Sequence, residues 1–133
     1  MKALKAHITR AFQKGSYIPT CDNSGAKMLR VISFRGGKGV KRRNMSGGVA
    51  TFITASVAVG SPDMRKKVVY AVIVRQKKEY RRADGMRIKF EDNAAVVVKD
   101  DKGNPKGTIF KGAIAKEACD RWPGIAKLAS IVV

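Results

Sequence analysis

The sequence predicts a mainly β fold built from short strands, either a small closed barrel or a sandwich. Two apolar runs rich in β-branched residues, Val68 to Val74 and Ala94 to Val98, have the length and composition of buried strands. Between them the chain turns strongly basic and contains Asp84-Gly85, the signature of a hairpin turn in which glycine tolerates positive φ. Further turn clusters divide the rest into strand-length pieces at regular spacing, as in barrels and sandwiches. Closure is favoured because it leaves no edge to aggregate.

Residues 1–15 form a basic N-terminal extension in which Leu4, Ile8 and Phe12 recur at helical spacing, with Ala11 beside them. The extension is either an arm ordered by RNA or a neighbouring protein, or a frayed tail. Residues 16–133 are expected to form one domain, without internal repeats. Tyr17 to Cys21 reads as an edge strand, because Pro19 cannot donate to a ladder. Asp22-Asn23-Ser24-Gly25 is a turn cluster. Over Lys27 to Phe34 two faces alternate. The face bearing Leu29 and Val31 is the candidate buried one, although both faces are mixed. Arg35 to Gly48 holds five glycines, five basic residues and no acid, and reads as a long flexible loop. Val49 to Val59 is the longest strand candidate, and Gly60-Ser61-Pro62-Asp63 closes it. The strand at 68–74, the hairpin at 76–90 and the strand at 94–98 follow, and Asp100 to Gly107 is a polar turn. Ala115 to Trp122 has helical spacing and stops at Pro123-Gly124. A short second helix around Ile125 to Ala129 and an apolar anchor at Ile131 to Val133 complete the chain.

The charge is large and unevenly placed. The 133 residues carry a formal net charge of +18, from 28 Lys plus Arg against 10 Asp plus Glu. Residues 1–90 hold 21 basic and four acidic side chains, whereas residues 91–133 hold seven and six. Such self-repulsion costs stability unless a polyanion neutralises it. Disorder is a poor account, since 44% of residues are hydrophobic and grouped in runs. Two segments carry the candidate contacts to RNA. The first holds Lys27, Arg30, Arg35, Lys38, Lys41, Arg42 and Arg43. The second holds Arg65, Lys66, Lys67, Arg75, Lys77, Lys78, Arg81, Arg82, Arg87 and Lys89 against only Glu79 and Asp84. Their chemistry suits phosphates and sugars, which position a protein without reading sequence. Aromatic residues make up 7% and form no stripe, and Tyr80 is the one expected to be exposed within the basic arm. Folded RNA read by shape therefore fits better than sequence-specific binding of single strands. The C-terminal third, nearly neutral, is the candidate protein-docking surface, with Lys116, Glu117, Asp120 and Arg121 expected on the outer face of its helix. Trp122, Phe110, Ile125 and Leu128 either cap the barrel or serve docking.

Catalytic constellations are missing from the sequence. His7 is the only histidine and has no Cys or carboxylate cluster beside it. Gly36-Gly37-Lys38-Gly39 fails the phosphate-loop pattern, because no Ser or Thr follows the lysine. Glu91-Asp92 and Asp100-Asp101 point to opposite faces if extended, and turn formation or pairing with the basic hairpin accounts for them better. Cys21 and Cys119 have no metal spacing and read as reduced, buried thiols, which favours a reducing cytosol. No apolar run is long enough for a bilayer, and the N-terminus lacks the apolar stretch of a signal peptide. A non-enzymatic protein without cofactor, metal, membrane or small-molecule substrate is expected. A free RNA-binding β-barrel module, such as an RNA chaperone or translation factor, is the alternative that composition leaves open. An RNA-modifying enzyme would need catalytic residues that are not found.

Several of these segments resemble a known family. Ala71-Val72-Ile73-Val74-Arg75-Gln76-Lys77-Lys78, Arg81-Arg82-Ala83-Asp84-Gly85 and Phe90-Glu91-Asp92-Asn93-Ala94-Ala95-Val96-Val97-Val98 resemble the central signature of the universal large-subunit ribosomal protein L-fourteen family. The resemblance extends upstream to Asp22-Asn23-Ser24-Gly25-Ala26-Lys27. Downstream it takes in Gly107-Thr108-Ile109-Phe110-Lys111-Gly112 and Leu128-Ala129-Ser130-Ile131-Val132-Val133. It covers residues 16–133, and the extension before it points to the archaeal and eukaryotic branch. The strands read at 17–21, 27–34, 49–59, 68–74 and 94–98 number five. The resemblance implies a five-stranded β-barrel with loops and short helices after it. A small closed five-stranded β-barrel carrying the protruding basic hairpin and short C-terminal helices is therefore expected. The resemblance also implies a structural role in the cytoplasmic large ribosomal subunit, in contact with large-subunit rRNA and neighbouring ribosomal proteins. A bridge to small-subunit rRNA, and docking of an anti-association factor of the initiation-factor-six type, are further implications. The Arg35–Gly48 loop matches the family pattern loosely.

Overall fold

The computed structural model describes residues 1–133. In chain order the elements are β1 (Phe12–Gln13), β2 (Tyr17–Pro19), β3 (Ala26–Phe34), β4 (Ser46–Gly47), β5 (Phe52–Gly60), β6 (Val68–Arg75), β7 (Tyr80–Arg81) and β8 (Arg87–Ile88). They continue with β9 (Ala94–Val98), β10 (Ala113–Ile114), α1 (Lys116–Arg121), α2 (Pro123–Leu128) and β11 (Ile131–Val132). The principal sheet runs β2-β3-β5-β6-β9, antiparallel throughout. Its strands coincide with the predicted ones to within a few residues.

The sheet curls into a half-barrel and does not close as a ladder. Its edge strands approach at one parallel bridge, Thr20 to Ala95, where the Cys21 N–H donates to the Ala95 carbonyl at 3.1 Å. The expected closed barrel is corrected here. Only three residues of β2 lie in the ladder, and Pro19 offers no N–H to extend it.

Two apolar cores lie on the two faces of this sheet. The inner core gathers Ile18, Leu29, Val31, Ile53, Ala55, Ala71, Ile73, Ala95 and Val97. The outer core gathers Phe52, Val72, Val74, Val96 and Val98 beneath Ile114, Ala118, Trp122 and Ile125. The strands β6 and β9 therefore bury both faces over much of their length, which is why their sequences are unbroken apolar runs rather than alternations. Strand β3 alternates, with Leu29 and Val31 inside as expected. A register shift between Val31 and Ser33 then turns Phe34 inward as well.

Both chain termini depart from expectation. Residues 1–15 contain no helix. Ile8 and Phe12 are buried, Gln13 and Phe12 pair with Ser46 and Gly47, and the Lys2 N–H donates to the Arg121 carbonyl at 3.0 Å. Spacing at i, i+4, i+8 is also even spacing, so Leu4, Ile8 and Phe12 face the protein in an extended chain too. At the other end Ile131, Val132 and Val133 are exposed, so the predicted apolar anchor is not one. The segment is held by its backbone instead, as a parallel partner of β10. Pro123 ends α1 and also opens α2 at its first position, where its missing N–H costs nothing.

Candidate nucleic-acid interface

The loop from Arg35 to Gly48 is pinned at both ends. The Arg35 N–H donates to Phe52, and Ser46-Gly47 pairs with β1. Between these points Lys38, Lys41, Arg42 and Arg43 are exposed, and Lys41 and Arg42 take left-handed φ values of 51° and 62°. Two consecutive non-glycine residues in that region carry backbone strain at the loop tip. Arg35 differs from the others. Its guanidinium lies 4.9 Å from the Phe52 ring centroid and bonds to Asp101.

The basic hairpin consists of β7 and β8. Its turn holds Gly85 at φ 90°, with Asp84 accepting the Met86 N–H. Lys77, Lys78, Arg81, Arg87 and Lys89 are exposed on it, and Arg65, Lys66, Lys67, Lys27 and Arg30 are exposed elsewhere. Of the predicted RNA contacts, Arg75 and Arg82 are the ones the fold spends internally. Arg75 is buried. Its Nε and Nη2 grip Asp92 at 2.9 and 3.0 Å, and its Nη1 donates to the Lys111 and Ala113 carbonyls. With most of its donors used, it ties the end of β6 to the chain before α1.

Arg82 bonds Glu117 through Nε at 2.7 Å and Nη2 at 3.3 Å, and Nη2 also donates to the Val133 carbonyl. The Glu117 carboxylate receives the Tyr80 hydroxyl at 2.8 Å. Both Tyr80 and Glu117 are buried. The expectation of an exposed Tyr80 that stacks a base is therefore corrected, and so is the outward placement of Glu117. The hairpin does not stand free, because this network clamps its turn-proximal end to α1. Burial first, then the Glu117 bond, raises the Tyr80 pKa, and the Glu117 bond raises that of Arg82.

On α1, Lys116 and Asp120 are exposed as expected and Arg121 is half-buried, its Nε shut from water without a partner. Burial lowers the Arg121 pKa. Trp122 is buried, and its indole N–H donates to the Ala50 carbonyl at 2.9 Å, so it belongs to the core. An open groove lies where the N-terminal arm meets the hairpin tip and both helices, lined among others by Lys2, Lys5, Asp84, Lys116, Asp120 and Lys127.

Sequence reasoning missed the outer face of the half-barrel beyond the helices. Cross-strand pairing aligns Tyr17, Arg30, Ser56 and Val68 in one row over four strands, and directly paired side chains share a face. Ile18, Leu29 and Val57 beside them point inward, so this row points out. Tyr70 follows on the same side. The signal was the parity of Tyr17 against Ile18. It stayed unread because Tyr70 lies inside a run that looked wholly buried.

Potential reactive groups are dispersed. His7 is exposed, and no three His, Cys, Asp or Glu side chains converge. Burial pushes the Cys21 thiol up to about 11 and raises Cys119. Burial also raises Asp22, opposed by hydrogen bonds from Ser24 and from the Val97 N–H. That carboxylate joins the first turn to β9.

Residues 11–133 match the family model described as ribosomal protein L14p/L23e. The chain is 53% identical to the large ribosomal subunit protein uL14 of Nanoarchaeum equitans over 133 residues, the whole of both chains. It is 51% identical to the protein of that name from Methanococcus maripaludis, strain DSM 14266, over 132 residues and 99% of each chain. The Methanococcus vannielii protein is 50% identical over the same share.

Proposed function

Because the chain belongs to the L14p/L23e family of ribosomal proteins and is a structural constituent of the large ribosomal subunit, we propose that it binds and orders large-subunit rRNA through its open cationic surface. The observation that carries this reading is the run of exposed cations on the Arg35–Gly48 loop, the Arg65–Lys67 turn and the hairpin, which acidic partners offset only at Arg35 and Arg87. The ion pairs of the chain are those of Arg75, Arg82, Arg35 and Arg87, leaving the other cations of these segments free for phosphate. The role is architectural rather than catalytic, in a ribosome in the cytoplasm. Residues 1–15 act as a basic extension of one domain over 16–133.

The nearly neutral C-terminal third is the surface for neighbouring ribosomal proteins, supported by exposed Leu128, Ile131, Val132 and Val133 beside Lys116 and Asp120. An anti-association factor of the initiation-factor-six type would dock on the same side, and the basic surface would supply the bridge to small-subunit rRNA. In this reading the internal ion pairs of Glu117, Arg75 and Arg82 leave docking to Lys116, Asp120 and Arg121 and phosphate contact to the other cations.

Salt dependence tests the reading. If about six phosphates are neutralised, the logarithm of the affinity for a large-subunit rRNA fragment falls with the logarithm of salt at a slope of roughly −5. Replacing Lys77, Lys78 and Arg81 with Ala should flatten the slope by about the contacts removed and leave the melting temperature unchanged. A wild-type slope near −1 would mean that these cations do not meet phosphate.

A further inference from the structure

We propose that the open part of the outer sheet face is a stacking platform for unpaired RNA bases, with Tyr17 and Tyr70 as the rings and Arg30 as the phosphate contact between them. The proposal deepens the rRNA-binding reading and rests on it.

Placement carries the first part of the case. Tyr17 is 57% exposed and Tyr70 41% exposed, on strands whose neighbouring side chains point into the inner core. Arg30 lies directly beside Tyr17, and Ser56 directly beside Arg30, so the floor between the rings is low. Thr54, paired with Tyr70, keeps it low on that side. Tyr17 and Tyr70 stand three strands apart on the outer, convex face, so each takes its own base. Tyr70 is held on one side by Phe52, whose ring centroid is 5.4 Å away at an interplanar angle of 39°. A base would therefore meet a ring that is already oriented.

Charge decides between RNA and protein as the occupant. The strands β2, β3, β5 and β6 contain no acidic residue. Arg30 stands in the middle of the exposed row, and Arg65, Lys66 and Lys67 lead into Val68 at its end. Protein interfaces deplete charge at their core. Binding of single strands needs the opposite combination, aromatic faces set among cations, because every base has a π-face and every nucleotide a phosphate. This combination is separate from the loop and the hairpin, which carry cations without an exposed aromatic ring.

The test uses the full chain with two probes of equal phosphate number, an oligouridylate and a duplex RNA, at one salt concentration. Tyr17→Ala and Tyr70→Ala should each lower the single-strand affinity about tenfold, and the ratio of single-strand to duplex affinity should fall by nearly as much. An unchanged ratio would overturn the platform while leaving the cationic reading in place, and would assign the face to a protein partner. Tyr70 touches Phe52, so a second measurement uses the unaltered protein: ultraviolet crosslinking to the oligouridylate should place adducts on the peptides holding Tyr17 and Tyr70. Adducts confined to the Arg35–Gly48 loop and the hairpin would overturn the proposal. If the unaltered protein binds neither probe, the rRNA-binding reading fails and takes the platform with it.

Discussion

Along β6 the outward side chains pass from Val68, 63% exposed, through Tyr70 to Val72 and Val74, which are fully buried under the C-terminal helices. The same strand, with the same kind of residue, thus has an open end and a covered end. At the covered end the polar groups are sealed into fixed partnerships: Trp122 with Ala50, Tyr80 and Arg82 with Glu117, Arg75 with Asp92. At the open end Arg30 and the cations after Pro62 have no acidic partner. The difference teaches that a basic residue in this chain is a candidate RNA contact only where nothing covers it. Arg75 and Arg82 look like their neighbours in sequence but are held in internal ion pairs.

The largest way to break this contrast is to remove the cover. Trp122→Ala should cost about 3–5 kcal/mol, as for other buried aromatic truncations, and uncover Phe52, whose ring centroid is 5.6 Å from that of Trp122. A denaturation midpoint close to that of the unaltered protein would show that the helices are an accessory rather than part of the core. The fit is tight from the other side too. A Cβ on Gly103, which has φ 82°, would come within 2.4 Å of the indole.

Next in size is Glu117→Lys. It leaves Arg82 and Tyr80 facing a like charge or no partner inside the protein, and breaking a buried pair costs about 3–5 kcal/mol. Asp120→Lys, three residues along and exposed, should change stability by about 0.5 kcal/mol or less while weakening capture of a neighbouring ribosomal protein. Urea denaturation and a pull-down separate the two effects. Equal stability losses would show that both carboxylates are surface groups after all.

A last effect sharpens the contrast by pH. Cys21 is pushed up to about 11 from an ordinary 9.0, and Tyr80 and Cys119 are raised as well, in each case first by burial. In the folded state these groups keep protons that the unfolded chain gives up. Their contribution is therefore complete below pH 9 and is lost as the pH rises through the folded values. For Cys21 alone the loss is on the order of 1 kcal/mol between pH 9 and 10. Denaturation midpoints measured across that range should fall, and a midpoint that rises would contradict the burial of this cluster.

What the sequence determined by itself is local or compositional. Strand positions could be read because β-branched runs and turn clusters act over a few residues, as at Val68 to Val74, Ala94 to Val98 and Asp84-Gly85. The excess of cations needed no fold at all to point toward a polyanion. Ordered motifs gave the family. The tertiary structure alone decided which members of those sets face water. The half-barrel stays open because β2 is short and meets β9 at one bridge. Glu117 turned inward because α1 packs with Ala118, Cys119 and Trp122 against the sheet, and the hairpin brings Arg82 and Tyr80 to that side. Arg75 was taken from the RNA-binding set by Asp92, 17 residues along the chain, and Tyr17 joined the exposed face by pairing with Arg30. Each of these outcomes depends on contacts between segments distant in sequence, and no local pattern encodes which segment will lie above a given side chain.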